Sequence, residues 1–484
     1  MPYRADKILV VYANITNRIS SYVRLRGHKF SCKSKSSLNS AEIRAALSLA
    51  AVYMSRMLGL FMVMPVLAVA ATSLDDFSPL MLGLVIGGYG LTQALLQIPM
   101  GMLSDKYGRK TIIVCGLVMF AVGSVVAAQA DSMLMLLVGR ILQGMGAIAG
   151  AVMALAADSS RTEQRTKVMA IIGISIGLSF YIAIILGPAV GSASGLSGVF
   201  WVTAMMAVVA ILLVLFVVPA PKTSAPSHET IPQATELKRL ALHPQLLKLN
   251  ISVAALHMLI TVLFVNIPQL FEQFGYALSS HWQLYAPVFA ISILSLLLLM
   301  RLSKTVNNAR IIQVSIVLLM IACVGLGFFA TDFWLTVSFV VIFFSGFNFL
   351  EARFPALVST IAPAGSRGTA MGIYASFQFF GAFLGGLLSG ILTSWFSLPI
   401  VYAVLTVLCV IWVGLFVRFD GQLQLKRVTL TVNKSEQSAD HIRRVLHNVD
   451  GVVDVNPVLE KHVVYLKVEQ HFNEQLAHDA LARQ

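Results

Sequence analysis

Charge is what this chain of 484 residues has least of: only 12% are Asp, Glu, Lys or Arg, against roughly 25% in soluble domains. A surface that sparsely charged excludes an ordinary water-soluble assembly. Cysteine is scarce as well. Cys32, Cys115, Cys323 and Cys409 stand far apart, three of them in apolar segments, so neither a disulfide framework nor a zinc spacing can be drawn. They read as small buried hydrophobes. No G-x-x-x-x-G-K-[ST] phosphate loop occurs, which disfavours ATP-driven transport. Clusters of His or carboxylate at membrane depth are also lacking, and an intramembrane enzyme would need them. No cofactor and no metal site is implied.

What is present instead is apolar length. Hydrophobic residues make up 57% of the chain and the mean hydropathy is +0.81. Runs of at least about 18 apolar residues, the length that crosses a bilayer, give twelve expected spans. They lie at 45–71, 80–103, 111–129, 133–157, 166–190, 199–218, 249–271, 282–300, 308–330, 334–358, 368–394 and 398–417. Loops are short except 219–248, whose Pro219, Pro221, Pro226, Pro232 and Pro244 mark a linker. The expected architecture is an all-α membrane protein of twelve transmembrane helices in two six-helix bundles, 45–218 and 249–417.

The net charge of +13 is unevenly placed. Residues 1–44 contribute +7, the body to 417 contributes +6, and 418–484 contributes nothing. Loops after spans 2, 4, 6, 8 and 10 hold Lys106, Arg109, Lys110, Arg161, Arg165, Lys167, Lys222, Lys238, Arg239, Lys248, Arg301, Lys304, Arg310 and Arg367, whereas the alternate loops hold no Lys or Arg. By the positive-inside rule both termini are expected in the cytoplasm. The basic arm 1–44 suits an anionic bilayer surface better than nucleic acid. It either lies on the inner leaflet or reflects an over-extended gene start.

Beyond Arg418 the pattern changes. Arg427 to Val432, Val452 to Leu459 and His462 to Val468 read as strands, with helical spacing at Ala439 to Val449 and Glu474 to Ala482. The order β-α-β-β-α over 418–484 is consistent with a small ferredoxin-like module. Without a cysteine there, a metal-ferrying role is disfavoured, although His441, His447, His462, His471 and His478 remain.

The most specific string is Gly101-Met102-Leu103-Ser104-Asp105-Lys106-Tyr107-Gly108-Arg109-Lys110 after span 2. Gly101 permits close helix approach and Gly108 a tight turn. Asp105 sets a carboxylate at the membrane edge, and Arg109 can pair with an acid, for which Asp158 at the end of span 4 is the candidate. The decapeptide resembles the signature of the major facilitator superfamily and stands where that family has it. The resemblance implies that Asp105 caps the positive end of the eleventh helix, near Ser366 to Thr369, and holds a cytoplasmic gate shut; the macrodipole favours an acid there.

Span 4 carries Arg140, Gln143 and Gly144 on one helical face. It matches the family motif whose arginine is linked to proton transfer; the alternative is an Arg that ties neighbouring helices together through carbonyls. Span 5 carries Gly173, Gly177, Gly187, Pro188 and Gly191. A Gly187-Pro188 pair frees a carbonyl and bends the axis. This stretch resembles the motif of the family's antiporters, with its last glycine pair reduced to Gly191-Ser192, and so favours antiport over symport; plain glycine packing is the other reading. At membrane depth stand Arg56, Tyr89, Gln93, Gln97, His257, Asn266, Asn348, Glu351 and Arg353. Each is costly in lipid and is expected to face the interior between the two halves. Glu351 is the sole acid well inside the apolar segments and His257 the sole histidine, which makes them the candidates for protonation-linked coupling. For Glu351 an ion pair with Arg353 or Arg301 competes; Arg56 could meet an anionic substrate or anchor span 1.

Together the spans, linker, motifs and appended module resemble a drug-efflux-type branch of that superfamily, over residues 41–482. The strings Arg56-Met57-Leu58-Gly59, Met64-Pro65-Val66-Leu67 and Arg367-Gly368-Thr369-Ala370-Met371-Gly372 add to it. The resemblance implies a monomeric, proton-coupled exporter of a small molecule in a bacterial inner membrane. The other expectation is a transporter-derived sensor or regulated carrier whose C-terminal domain binds a cytoplasmic ion or metabolite.

Overall fold

Asn39 and Glu42 decide where the first helix begins. The Asn39 side chain accepts from Glu42 N at 2.8 Å while the Glu42 carboxylate accepts from Asn39 N at 2.9 Å, a reciprocal box that satisfies two otherwise orphaned donors. Helix α1 (Ser40–Ala70) therefore starts at Ser40 rather than at 45, the boundary expected from hydropathy alone. The computed structural model describes residues 38–161, 164–219, 234–303, 306, 308–362, 366–416, 426–431, 439–458, 463–468 and 472–482. The basic arm before residue 38 and the linker residues 220–233 lie outside them.

Helix α2 (Pro79–Tyr107) is capped by Ser78 and ends at Gly108, whose φ of 94° only glycine adopts readily. That turn lets α3 (Arg109–Ala128) begin at once. Span 4 was expected to be continuous, but it is two helices, α4 (Met133–Met145) and α5 (Ala149–Asp158). Spans 5 and 6 are two helices that meet without an intervening loop in the stretch α6 (Arg165–Leu212), divided at Gly195 (φ 67°, ψ −174°). Helical geometry continues through Pro188, so the departure from it falls at Gly195 and not at the Gly187-Pro188 pair.

The short α7 (Ala234–Ala241) leads into α8 (Pro244–Gln273), α9 (His281–Leu302), α10 (Asn308–Phe328), α11 (Phe333–Ile361), α12 (Arg367–Trp395) and α13 (Leu398–Phe416). Among the described residues eleven helical stretches are long and apolar enough to cross a membrane. One of them, Lys167–Val217, has 51 residues. At ~1.5 Å per residue it exceeds twice a hydrocarbon core of ~30 Å, so divided at Gly195 it supplies two crossings.

Packing separates the helices into two groups. Buried apolar residues between Ala46 and Val218 form two clusters, and those between Leu240 and Phe416 form another. Only Ile184 crosses into the later cluster and only Val265 into an earlier one. α1 packs on α6, and α12 packs on both α8 and α2. The α2–α12 contact is backbone on backbone at one end. A Cβ on Gly386 would lie 2.9 Å from Gly87 N, and one on Gly390 would lie 2.9 Å from Pro79 O. Toward the basic loops the contact loosens: Gly372 would meet only Ile98, at 4.0 Å, and Gly101 and Gly368 would meet nothing within 4 Å.

The C-terminal segment adds β1 (Lys426–Thr431), α14 (Ala439–His447), β2 (Val452–Val458), β3 (Val463–Val468) and α15 (Glu474–Ala482). Its antiparallel sheet runs β1-β3-β2, with Leu430 opposite Val464 and Val455 opposite Leu466. Ile442 and Leu446 of α14 and Ala477 of α15 close over these side chains to make a small separate core.

Candidate functional site

The polar residues expected at membrane depth sort into two clusters of different character. In the first, Arg56 on α1 reaches α2, its Nη2 donating to Tyr89 Oη at 2.9 Å and to Gln93 Oε1 at 2.7 Å. Gln93 Nε2 in turn donates to Gln97 Oε1 at 2.9 Å, one helical turn on. On α4, Arg140 donates to Val85 O at 3.3 Å and to Gln143 Oε1 at 2.8 Å, and Gln143 passes a hydrogen bond to Ser124 Oγ of α3 at 2.8 Å. The two guanidiniums bracket one ring: Arg140 stacks over Tyr89 at 4.9 Å while Arg56 bonds its hydroxyl.

Both arginines are buried, Arg56 at 0% and Arg140 at 1% exposure, and all these partners belong to α1–α4. Hydrogen bonds and ring faces within the first group hold them, whereas Arg56 was expected to face the space between the halves. None of the described ion pairs gives either one a carboxylate partner. One of the contacts of Arg140 is to a carbonyl of a neighbouring helix, at Val85.

At the basic end, Arg109 lies between two acids. It pairs with Asp105, donates from Nε to Asp158 Oδ2 at 3.3 Å, and donates from Nη1 to Ser104 Oγ at 2.7 Å. Asp105 thus engages its own loop, and Lys110 donates to Val218 O at the end of the sixth span. A second clamp was not legible from the motifs. Arg161 grips Glu42 with two parallel bonds of 2.9 Å, and its backbone N–H adds a third at 3.0 Å, the fork geometry that makes Arg–carboxylate pairs strong. Glu42 is buried, so the start of α1 is fastened to the loop after α5.

The second cluster joins α8, α11 and α12. Gln378 Nε2 lies 2.7 Å from His257 Nε2 and donates to Glu351 Oε1 at 3.2 Å. Glu351 Oε2 is 3.8 Å from His257 Nε2. His257 Nδ1 lies 3.2 Å from Val253 O; because a carbonyl only accepts, the ring proton sits on Nδ1 in the neutral form. Glu351 keeps 36% of its side chain exposed and His257 keeps 16%, although Glu351 Oε2 itself is buried without a hydrogen-bond partner; the arginine cluster is closed throughout. The titratable group beside Glu351 among the described ion pairs is His257, which pairs with it as an ion only when protonated, and neither Arg301 nor Arg353 forms a described ion pair with it. Asn266 and Asn348 instead link helices of the second group, donating to Ser389 Oγ at 3.1 Å and to Ser292 Oγ at 3.2 Å.

Beside this cluster stands an aromatic wall. Phe180 of α6 meets Phe264, Phe289, Phe344 and Phe347 at ring separations of 5.9–6.5 Å, and Phe347 is 6.1 Å from the His257 ring. Gln378 escaped notice in the sequence even though it is the sole amide side chain in its span. Gly187 packs against the backbone of Met62, with a Cβ there 3.1 Å from Met62 Cα. Among the described residues no group of three or more His, Cys, Asp or Glu could hold a metal ion.

Two helical groups meeting along a glycine seam, with charge clusters at depth, define a membrane carrier. The family model for the Major Facilitator Superfamily matches residues 49–385, and the chain belongs to that family of transporters. It is 37% identical over 433 residues to the inner membrane transport protein YajR of Escherichia coli, covering 88% of this chain and 94% of that one. It is 27% identical over 355 residues to the quinolone resistance protein NorA of Staphylococcus aureus, covering 69% and 86%. Among solved structures, a bacterial homologue of the human lysosomal transporter Spinster, in an inward-facing and unoccupied conformation, superposes with a TM-score of 0.62 at 16% identity, over 78% of this chain and 97% of that one.

Proposed function

We propose that the chain is a proton-coupled antiporter that exports a small, drug-like molecule across a bacterial inner membrane by alternating access. The observation that carries this reading is the partly buried His257–Gln378–Glu351 cluster beside an aromatic wall. A carboxylate and an imidazole within hydrogen-bond reach of one amide at membrane depth can take and release protons. The first helical group carries no such exposed acid at depth. Its Arg56–Tyr89–Arg140 stack is a buried electropositive cluster within that group.

The two bundles, 45–218 and 249–417 joined by the linker 219–248, are the rocking units. Both termini lie in the cytoplasm, on the side of the basic loops. The α2–α12 seam is tight at the far end and loose at the basic end, which suits a cavity open to the cytoplasm. Residues 418–484 form a ferredoxin-like domain, and the working unit is a monomer. Arg109, held between Asp105 and Asp158, and Lys110 keep the cytoplasmic rim of the first bundle in shape, with Gly108 forming the turn and Gly101 leaving room beside the helix. Arg140 and Gln143 transmit the proton-linked change, and Gly187-Pro188 keeps α6 close to α1.

Purified protein in liposomes with an imposed pH gradient tests this, with a fluorescent quinolone as the first probe because NorA is named for quinolone resistance. Gradient-driven quinolone uptake with matching proton release is expected, and it should be lost in Glu351→Gln and Arg140→Ala and impaired in Asp105→Asn. Uptake that ignores the gradient and survives in all three variants would sink the proposal.

A further inference from the structure

We infer that Gln378 is a positioning residue that converts the protonation state of the His257–Glu351 pair into movement of α12; this rests on the reading of that pair as the coupling site. The argument begins with donors and acceptors. With His257 neutral, Nδ1–H donates to Val253 O, and Nε2 offers a lone pair. The Gln378 amide nitrogen has two hydrogens, and it lies 2.7 Å from that lone pair and 3.2 Å from Glu351 Oε1. One NH2 group therefore serves two acceptors on two other helices.

A proton arriving from cavity water on Nε2 inverts this arrangement. His257 becomes a donor at the position where Gln378 already donates, and two N–H groups cannot face each other at 2.7 Å. The amide must turn its oxygen toward the ring or withdraw. Glu351 Oε2, now 3.8 Å from Nε2, can then take the imidazolium directly. A proton landing on Glu351 instead weakens the second acceptor and frees one amide hydrogen. In either case the geometry of Gln378 changes and that of Val253 does not.

What makes the turn consequential is the next residue. Phe379 packs its ring 6.1 Å from that of Tyr89 across the two helical groups, and a Cβ on Gly90 would lie 2.6 Å from Phe379 O. Tyr89 is the ring held by both Arg56 and Arg140. The proton-sensing amide and the contact between groups are thus consecutive on one helix, and a rotation of α12 that relieves the first displaces the second.

Few other charges face the pair. On α12, Tyr374 interacts electrostatically with Glu351 and its hydroxyl is buried. On α11, Arg353 is two residues further along the chain. On α1, Arg56 is turned to Tyr89 and Gln93 of α2, which are both uncharged. α13 presents Trp412 to Ser252, Lys238 and Arg239 of α7 are solvent-exposed, and Arg301 of α9 and Arg310 of α10 are exposed as well.

The test follows α12 directly and needs no substrate. Spin labels are placed at Met102→Cys and Gly368→Cys in a chain whose Cys32, Cys115, Cys323 and Cys409 are replaced by Ala, and their separation is measured in lipid nanodiscs between about pH 5 and pH 9. The parent protein should switch between two distances with a defined midpoint. Gln378→Met, which neither donates nor accepts at that atom, should reduce the amplitude of the switch at least about fivefold. Gln378→Glu, an acceptor that favours the protonated ring, should raise the midpoint by about one pH unit. A purely structural glutamine would lower thermal stability in both variants and leave the curve in place, and that result overturns the inference. If Glu351→Gln combined with His257→Gln still switches, the coupling site itself is wrong. If that double variant is silent while both Gln378 variants behave as the parent, only the role of Gln378 falls.

Discussion

Adding a single methyl group at Gly386 should bias the carrier away from the state seen here. The ideal Cβ at that position lies 2.9 Å from Gly87 N and 3.1 Å from Gly87 Cα, and closer still to Gly83 O. All three are backbone atoms, which cannot swing aside as a side chain would. Overpacking of this kind costs about 1–3 kcal/mol, which is roughly a 5- to 150-fold change in an equilibrium constant. The penalty applies where α2 and α12 touch, so it falls on the conformation closed at that end and not on the one in which the helices part. Alanine also favours the helix by up to about 1 kcal/mol in every state, so overall folding should be little harmed. The assay is the rate at which a membrane-impermeant thiol reagent modifies Val265→Cys, a position 2% exposed among residues of α1 and α2, in a background without native cysteines. Gly386→Ala should raise that rate about 5- to 150-fold. Gly414→Ala, where a Cβ would meet nothing within 4 Å, should leave it alone. Equal rates in the two variants would refute the idea that backbone contact at the seam sets the resting state.

Three other outcomes can be checked in detergent by thermal unfolding. Tyr89→Phe removes the hydroxyl that accepts from Arg56 Nη2 and should cost about 1–3 kcal/mol, because a charged donor is left short of a partner in a buried site. Glu42→Ala abolishes both the bidentate grip of Arg161 and the capping box of α1; a loss of about 2 kcal/mol is expected, with Glu42→Gln keeping part of it. Gly195→Ala forces a side chain into φ 67°, ψ −174° and should cost about 1–3 kcal/mol, visible as a lowered midpoint with no effect from Gly173→Ala, where a Cβ would meet nothing within 4 Å.

The membrane helices were legible because hydrocarbon imposes length and apolarity on a segment whatever its neighbours are. What escaped was set by neighbours. Gly195 looks like any other glycine in a run already rich in them, and only the turn between two crossings needs its positive φ. The break at 146–148 in span 4 has no proline to announce it. Arg56, Arg140, His257 and Glu351 were recognisable as costly groups, yet sequence could not say which would be satisfied inside one bundle and which would stay partly exposed. That depends on Tyr89, Gln93 and Ser124 being near the first pair and on Gln378 standing between the second. Gln378 was invisible as a partner because the residues it bridges lie 121 and 27 positions away. Glu42 was read by its place in a basic arm, although Asn39 three residues earlier already spelled a cap.

The dry arginine stack has an electrical consequence. Arg56 and Arg140 place two fixed positive charges deep in the first helical group, with no carboxylate among the described ion pairs to cancel either. Any tilt of that group along the membrane normal carries both through the transmembrane field. One elementary charge crossing the whole field is worth about 2.3 kcal/mol per 100 mV, so two charges moving through a tenth of it change the balance of states by about 0.5 kcal/mol per 100 mV. An energised, inside-negative membrane therefore favours whichever conformation sets that group deepest toward the cytoplasm, and it does so before any proton or solute has bound.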